Sequence, residues 1–506
     1  MRLETVAETR REAIPRISGA RASNVCRAFF SFPAMLAMLL VTLGVLTVRS
    51  RLGDPDMWWH LKTGEIIWNT HTIPTTDEFS FTTNHHPYVP HEWLSQLTIY
   101  GAWKMGGYTG LMAWLCVVTS LLLISGYALC WLYSGNGKVA FLGALTIWLF
   151  STIGLAVRPQ MIGYTLLICE LLIIHLGRTR NARWLYALPP LFALWVNCHG
   201  SFFLGLLVAA IFLFCSFFDF RAGLLVCERK PWKPLAVSLA LSVAALFVNP
   251  IGWSQVSYPM NTILGGQSLG VANVTEWQAL PFNDPRGVAW IAVAGLILLL
   301  PTLRLKDLLL TELLLLTLGL TLAAPHSRML FAFGILAAPA LTRLLADAWE
   351  SYEPERDRGI PNAILIGLSI YAIAVVFPRF DNLKAQVLQS SPVKAVDFIR
   401  RTHLPANMFN EYVYGGYLIW ALPEYKVFMD GRSDVYEWSG VLADFAKTAK
   451  LEDNPNAVFD KYQVNFCLLS KGSPLARVMG LLPNWQKAYS DSNSVIFTRR
   501  FRASPP

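Results

Sequence analysis

Charge is what this sequence lacks most. Only 15% of its 506 residues are Asp, Glu, Lys or Arg, against 54% hydrophobic. Soluble domains carry about a quarter charged residues, so the body of this chain is not a soluble globule. The few charges come in short knots between long uncharged runs. An ionised side chain is costly in hydrocarbon, so this spacing marks a polytopic membrane protein. The net charge of +9 lies largely in Arg and Lys of short loops, where it sets orientation. It does not cluster on a soluble face, which excludes nucleic acid as a partner.

Other absences narrow the field. The eight cysteines show no CxxC and no Cys/His metal spacing. Cys116, Cys130, Cys169 and Cys215 lie in apolar runs as small fillers, and Cys467 stands alone in the polar C-terminal part. There is no Walker loop, GxSxG or dinucleotide fingerprint, and no internal repeat. No small-x-small cleavage site follows the first apolar run. That run is therefore expected to remain as a span, preceded by a cytoplasmic tail over 1–28 with six arginines.

A span needs roughly 20 apolar residues. Candidate runs are 29–48, 109–132, 139–157, 161–177, 184–198, 201–219, 234–249, 287–303, 307–324, 328–347 and 360–378. These predict about eleven transmembrane helices over 29–378. With the N-terminus inside, the inner loops hold Arg178, Arg180 and Arg183, then Arg221, Arg229, Lys230 and Lys233, then Arg304 and Lys306, then Arg343, Arg356 and Arg358. The outer loop 250–286 holds only Arg286, in keeping with the positive-inside rule. An odd count then puts 379–506 outside, together with a large first loop, 49–108.

Chemistry-bearing residues gather at the outer helix ends. Asp54, Asp56 and His60 follow the first span. Arg158 lies in VRPQ, Asn197 and His199 in WVNCHG, Asn249 in VNPIGW, and His326 and Arg328 in PHSRM. Carboxylate, imidazole, amide and guanidinium on one face can build a site at a membrane interface.

The first loop is the densest stretch. GDPDMWWHLKTGEII (53–67) reads as a turn and then a helix, with Asp54 suited to cap it and Pro55 to an early position. Trp58, Trp59 and Trp68 suit the water–lipid boundary. IPTTDEFSFTTNHHPYVPHEWLSQ follows, with Asp77, His85, His86, His91 and Glu92. A bland reading is an interfacial amphipathic helix whose Asp54 and Asp56 are a cap and a solvated charge. On that reading Glu92 pairs with Lys62 or Lys104, Arg158 and Arg328 are snorkelling anchors, and Asn197 and His199 satisfy broken-helix backbone near Gly200.

The order of these features resembles the GT-C superfamily of membrane glycosyltransferases, and most nearly the oligosaccharyltransferase catalytic subunit. Asp56, Trp58, Trp59 and His60 fill that family's pattern of an aspartate, an aromatic pair and a polar residue. The family's WWDYG acceptor motif is absent; NEYVYGGYLIWALPEYKVFMDGRSD (410–434) stands where it would be expected. The resemblance implies an α-helical polytopic fold with a C-terminal α/β extracytoplasmic domain. It implies a polyprenyl-phosphate-linked sugar as donor and a glycan, lipid or protein acceptor, on the outer face of the bacterial inner membrane. It makes Asp56 the catalytic aspartate with Asp54 as runner-up. Arg328, Arg158 and His326 are then expected on the donor phosphate, with His60, Glu92, His199, Asn197 and Asp77 in support. A divalent metal ion, Mg or Mn, is a further expectation, with His85, His86 or His91 as possible ligands.

Residues 379–506 change character. VKAVDFIRR, GVLADFAKTAK and NAVFDKY read as helices. NMFNEY, YKVFMDG, NFCLLS and SVIFTRR read as strands, which gives an α/β arrangement. Asp430, Arg432 and Asp434 in MDGRSD read as a turn after a strand, with contact to the acceptor as the alternative. Two other functions stay open at this point. A transporter or flippase would place polar residues at mid-membrane. A membrane scaffold would explain the C-terminal part but not the first loop.

Overall fold

A computed structural model describes residues 28–83, 85–264 and 277–500; the expected tail over 1–28, save its last residue, and the last six residues of the chain lie outside them. Helix α1 (Phe32–Val48) starts where the Ser31 hydroxyl accepts the Ala34 N–H at 3.3 Å and Pro33 occupies the first turn. The short helix α2 (Met57–Thr70) follows, and then α3 (Trp93–Ser134). The 42 residues of α3 break at Gly106–Gly107, where Gly107 takes φ 54°. Thus α3 begins within the first loop and turns into the run expected from 109.

Next come α4 (Gly137–Ser151), capped by Asn136, then α5 (Gln160–Thr179), α6 (Leu188–Cys198) and α7 (Phe202–Cys215). They are followed by α8 (Lys233–Ala245), α9 (Trp253–Leu264) and α10 (Pro285–Arg304), the last capped by Asp284. The bundle closes with α11 (Leu310–Ala323), α12 (Leu330–Leu344) and α13 (Gly359–Val376). Each apolar run therefore contains a helix. Among the described residues, five helices of 18 residues or more are apolar enough to cross a membrane, counting α12 together with the turn Ser327–Met329 before it, and five apolar helices are shorter.

The loops rich in Arg and Lys meet at one end of the bundle. There Arg221 pairs with Asp307 at 2.7 Å, Lys306 with Asp347 at 2.6 Å, and Arg343 with Glu312. A small sheet of β1 (Phe220–Ala222), β2 (Leu225–Cys227) and β3 (Leu308–Leu309) joins two of these loops. The opposite end carries α2, the His-rich loop and the C-terminal residues.

From Phe380 onward helices surround a four-stranded sheet of order β4-β5-β7-β6, using β4 (Met408–Asn410), β5 (Phe466–Ser470), β6 (Trp485–Ser490) and β7 (Ser494–Arg499). β4 and β5 run parallel; the other pairs are antiparallel. An aromatic core of Phe409, Phe428, Tyr436, Phe445 and Phe459 packs beside it. One strand expectation needs correction, and one strand was not foreseen. YKVFMDG forms no strand: its Val427 makes an isolated parallel bridge to Ser80 of the first loop. WQKAYS is a strand, hidden in the sequence because this edge faces water along most of its length.

The C-terminal unit sits on α2 through the short helix Gly415–Ala421, labelled α16 after α14 (Phe380–Ser390) and α15 (Val393–Thr402). Trp58 is fully buried in this contact, edge-on to Tyr417 at 5.0 Å. It is not an interface anchor, because the C-terminal unit covers it. Trp68 does suit that role, half-exposed with the Lys104 ammonium 4.7 Å from its ring centre.

Candidate active site

The turn before α2 is built around one buried guanidinium. Arg158, between α4 and α5, donates from Nε to both oxygens of Asp54 at 2.9 and 3.0 Å, and its Nη2 lies 2.8 Å from Asp54 Oδ2. Its Nη1 reaches Asp56 Oδ2 at 3.2 Å. Asp56 occupies the N-cap position of α2, yet its side chain caps nothing; its Oδ1 accepts from Trp59 Nε1 at 3.4 Å. Asp54 does not cap α2 either. It accepts the Asp56 N–H at 3.0 Å and faces Arg158. A charged donor outcompetes neutral helix amides for a carboxylate, so the cap-and-solvated-charge reading fails.

Beside this turn, three imidazoles surround Glu92. His199 Nε2 lies 3.3 Å from Glu92 Oε1, His91 Nε2 3.7 Å from the same oxygen, and His60 Nδ1 3.7 Å from Oε2. Their outer contacts set the tautomers. The Ser201 N–H donates to His199 Nδ1 at 3.0 Å, so the His199 proton sits on Nε2, facing the carboxyl. The Gln96 amide is 3.2 Å from His60 Nδ1, and the Val89 carbonyl is 3.3 Å from His91 Nδ1.

Burial pushes the Glu92 carboxyl up to about 8; Asp434 and Asp56 add to the push, and Arg328 and Arg158 oppose it. Burial also pushes His91 down to about 4 and lowers His60 and His199, with Arg158 and Arg328 respectively as the next causes. Each of these shifts favours the uncharged form, a protonated acid among neutral imidazoles. Neither lysine of the bland reading reaches Glu92: Lys62 pairs with Glu65 at 2.7 Å, and Lys104 covers Trp68.

Arg328 precedes α12 and donates from Nε to Gln160 Oε1 at 2.9 Å, its guanidinium 5.5 Å from the Trp277 ring centre. Two further contacts frame the cluster. Tyr258 of α9 stacks on His91 at 3.9 Å, and its hydroxyl donates to Asp434 Oδ2 of the C-terminal unit at 3.1 Å.

No family model matches this sequence, and no curated protein matches it. Solved structures do. The oligosaccharyltransferase of Archaeoglobus fulgidus, tethered to an acceptor peptide, is 14% identical; the match covers 94% of this chain and 75% of that one, with a TM-score of 0.56. ArnT from Cupriavidus metallidurans, bound to undecaprenyl phosphate, is 11% identical over 97% of this chain and all of that one, with a TM-score of 0.53. The fold is GT-C-like.

In this GT-C-like chain Asp54, Asp56, Arg158, His60, Glu92, His199 and Arg328 come together from five separate stretches of sequence. The other expected residues stand differently. His326 Nδ1 is 2.7 Å from the Trp277 carbonyl. Asn197 spends its amide on structure, accepting from Trp93 Nε1 at 2.8 Å and donating to the Ala193 and Val248 carbonyls. Asp77 belongs to a separate, fully buried network, paired with Arg432 at 2.8 Å, which also pairs with Asp430 at 2.7 Å. Burial alone would raise the Asp77 carboxyl, but Arg432 and Ser80 hold it below its usual range.

Trp59, Gln160, Tyr258 and Asp434 were not singled out from sequence as site residues. Three had a local signal: Trp59 stands in the aspartate–aromatic pattern, Asp434 in MDGRSD, and Gln160 directly after the arginine and proline of VRPQ.

Another structure of the Archaeoglobus fulgidus oligosaccharyltransferase contains zinc and sulfate, with a TM-score of 0.50. Among the described residues no three His, Cys, Asp or Glu side chains stand as a metal-ligating group. Between Asp54 and Asp56 the Arg158 guanidinium already fills the place a cation would take. The residues present do not fit a metal at that pair.

Proposed function

We propose that the protein is a membrane glycosyltransferase that moves a sugar from a polyprenyl-phosphate-linked donor to an acceptor hydroxyl. The observation that carries this reading is the Asp54–Arg158–Asp56 cluster beside Glu92, at the end of a GT-C-like bundle covered by the C-terminal unit. The undecaprenyl phosphate held by ArnT supports a lipid phosphate as the donor's carrier. The bundle over 29–378 crosses the bacterial inner membrane with the N-terminus cytoplasmic. The first loop and the α/β domain over 379–506 lie on the outer face, where a lipid-linked headgroup is accessible to acceptors. The missing WWDYG motif argues against an Asn-linked sequon as the acceptor.

The geometry supports one course of reaction. Asp56 takes the proton of the acceptor hydroxyl. The acceptor oxygen bonds to the anomeric carbon as the bond from that carbon to the phosphate oxygen breaks. Charge then grows on the departing lipid phosphate, and Arg328 stabilises it, since a guanidinium meets phosphate oxygens as a fork. Asp54 serves as the rigid partner of Arg158, which aims Asp56. Glu92, uncharged near pH 7, lets an anionic phosphate approach without repulsion. No step is routed through a metal.

The test is transfer from a panel of radiolabelled polyprenyl-linked sugars in membranes containing wild type, Asp54→Asn or Asp56→Asn, matched for folded protein. Loss of transfer in Asp56→Asn supports the assignment; transfer that survives both changes overturns it. One observation favours the transporter reading: Glu170, fully buried near the middle of α5, has no hydrogen-bond partner on either oxygen among the described residues. Intramembrane carboxyls often mark ion pathways. A Glu170→Gln protein that transfers sugar as wild type does removes that support.

A further inference from the structure

Two sequence features remain without a role: the Tyr-Gly-Gly-Tyr core of 414–417 and the Asp-Gly-Arg of 430–432. Both meet the Asp54–Asp56 turn. A Cβ on Gly431 would overlap the Asp56 Oδ1 oxygen, lie 3.0 Å from its Cγ and 3.1 Å from Trp59 Nε1. A Cβ on Gly416 would overlap the Pro55 carbonyl oxygen. Gly431 has no room to withdraw. Its neighbours Asp430 and Arg432 are locked to each other and to Asp77 in a buried network, with Tyr436 bonded to Asp430. Its own carbonyl accepts from Ser433 N at 3.0 Å and Tyr412 Oη at 3.5 Å.

We infer that Gly431 and Gly416 are positioning residues, through which the C-terminal unit braces the Asp54–Asp56 turn and fixes the carboxylate of Asp56. The inference rests on the reading of Asp56 given above. It makes the C-terminal unit a working part of the reactive centre rather than a cover.

The two glycines differ in what must give way. At Gly431 the obstructing atom is the end of a side chain. An added methyl can be absorbed by turning Asp56 away from Trp59 and Arg158, so the fold survives while the reactive group moves. At Gly416 the obstructing atom is backbone, which cannot rotate aside, so the methyl weakens docking itself. A misplacement of about 1 Å at a reacting group can cost on the order of a hundredfold in rate.

The experiment uses the full chain in lipid nanodiscs as wild type, Gly431→Ala, Gly416→Ala and Asp56→Asn, with Gly472→Ala as control because no atom lies within 4 Å of its would-be Cβ. Transfer kinetics and unfolding midpoint are measured for each. Separately, the thiol of Asp56→Cys is labelled with a water-soluble maleimide, with and without Gly431→Ala, after subtracting labelling of the native cysteines. We expect Gly431→Ala to lower kcat at least about tenfold while leaving KM for the donor and the midpoint near wild type. It should also change the labelling rate severalfold. Gly416→Ala should lower the midpoint as well as kcat, and Gly472→Ala should change neither. Wild-type kcat in Gly431→Ala, or an unchanged labelling rate, overturns the inference. Normal transfer by Asp56→Asn instead overturns the reading of Asp56, and the labelling comparison still decides whether the brace exists.

Discussion

Replacing Glu92 by Gln keeps the shape of the side chain and removes its titration. Burial raises this carboxyl from an ordinary value near 4.5 to about 8. The folded protein therefore holds this proton more tightly than the unfolded chain does. The sign follows: native Glu92 binds more protons than unfolded Glu92 between those values, so stability falls as pH rises through that window. Each unit corresponds to about 1.4 kcal/mol, so the whole window is worth at most roughly 5 kcal/mol, and the interval from pH 6 to pH 8 roughly 2–3 kcal/mol. The amide of the Glu92→Gln variant carries no such penalty.

Unfolding free energies of both proteins in the same nanodiscs at pH 6 and pH 8 give a direct reading. The variant should gain on wild type by roughly 2–3 kcal/mol between the two. The depressed histidines titrate in both proteins and largely cancel. Parallel stability curves, differing by less than about 0.5 kcal/mol across that interval, would refute the claim that Glu92 is held protonated. On the proposed function, transfer should follow the same proton: wild-type activity should decline above about pH 8 as Glu92 ionises and repels an anionic donor, and the decline should be absent in Glu92→Gln.

Three further outcomes follow from the same geometry. Arg158→Ala leaves Asp54 and Asp56 without their shared cation and should cost about 3–5 kcal/mol of stability along with all transfer; melting and transfer assays check both, and a stable, active variant contradicts the site as described. Arg328→Ala should raise KM for the donor far more than it changes the unfolding midpoint, whereas Arg328→Lys should recover only part of the loss because an ammonium cannot form the fork; steady-state kinetics on one donor suffice. Removing divalent metal with EDTA should leave most of the transfer intact, since Arg158 supplies the positive charge between the two aspartates; activity abolished by EDTA and restored by Mg or Mn would show that a metal acts at some other place.

The helices were legible because each span must be apolar along its whole length. Arginine placement also foretold which loops meet at one end, as in the pairing of Arg221 with Asp307. The gathering of Asp56, Arg158, His199 and Arg328 was legible for a related reason. Polar groups at helix ends on one side have few other places to go. What sequence could not supply was the identity of partners. Asp54 and Asp77 look alike in a list of loop aspartates, yet one meets Arg158 and the other Arg432, across 104 and 355 residues of chain. Trp58 looked like an anchor because nothing local says that Tyr417 will cover it. Val427 paired with the first loop instead of the sheet because its hydrogen-bonding partner lies near residue 80.

That long-range pairing has a consequence for how the chain is made. Phe79 and Phe81 exchange backbone hydrogen bonds with Val427, and Thr82 donates to the Phe428 carbonyl 346 residues later. Arg158 emerges early enough to meet Asp54 while most spans are still unmade. Arg432 comes last. At about 5–20 residues per second, Asp77 waits on the order of half a minute for its counter-charge. Until then the first loop lacks its backbone partner at Val427, and a truncated product would carry Asp56 without Gly416 and Gly431 packed against its turn. On the proposed function, synthesis of the C-terminal unit is the step that completes the site.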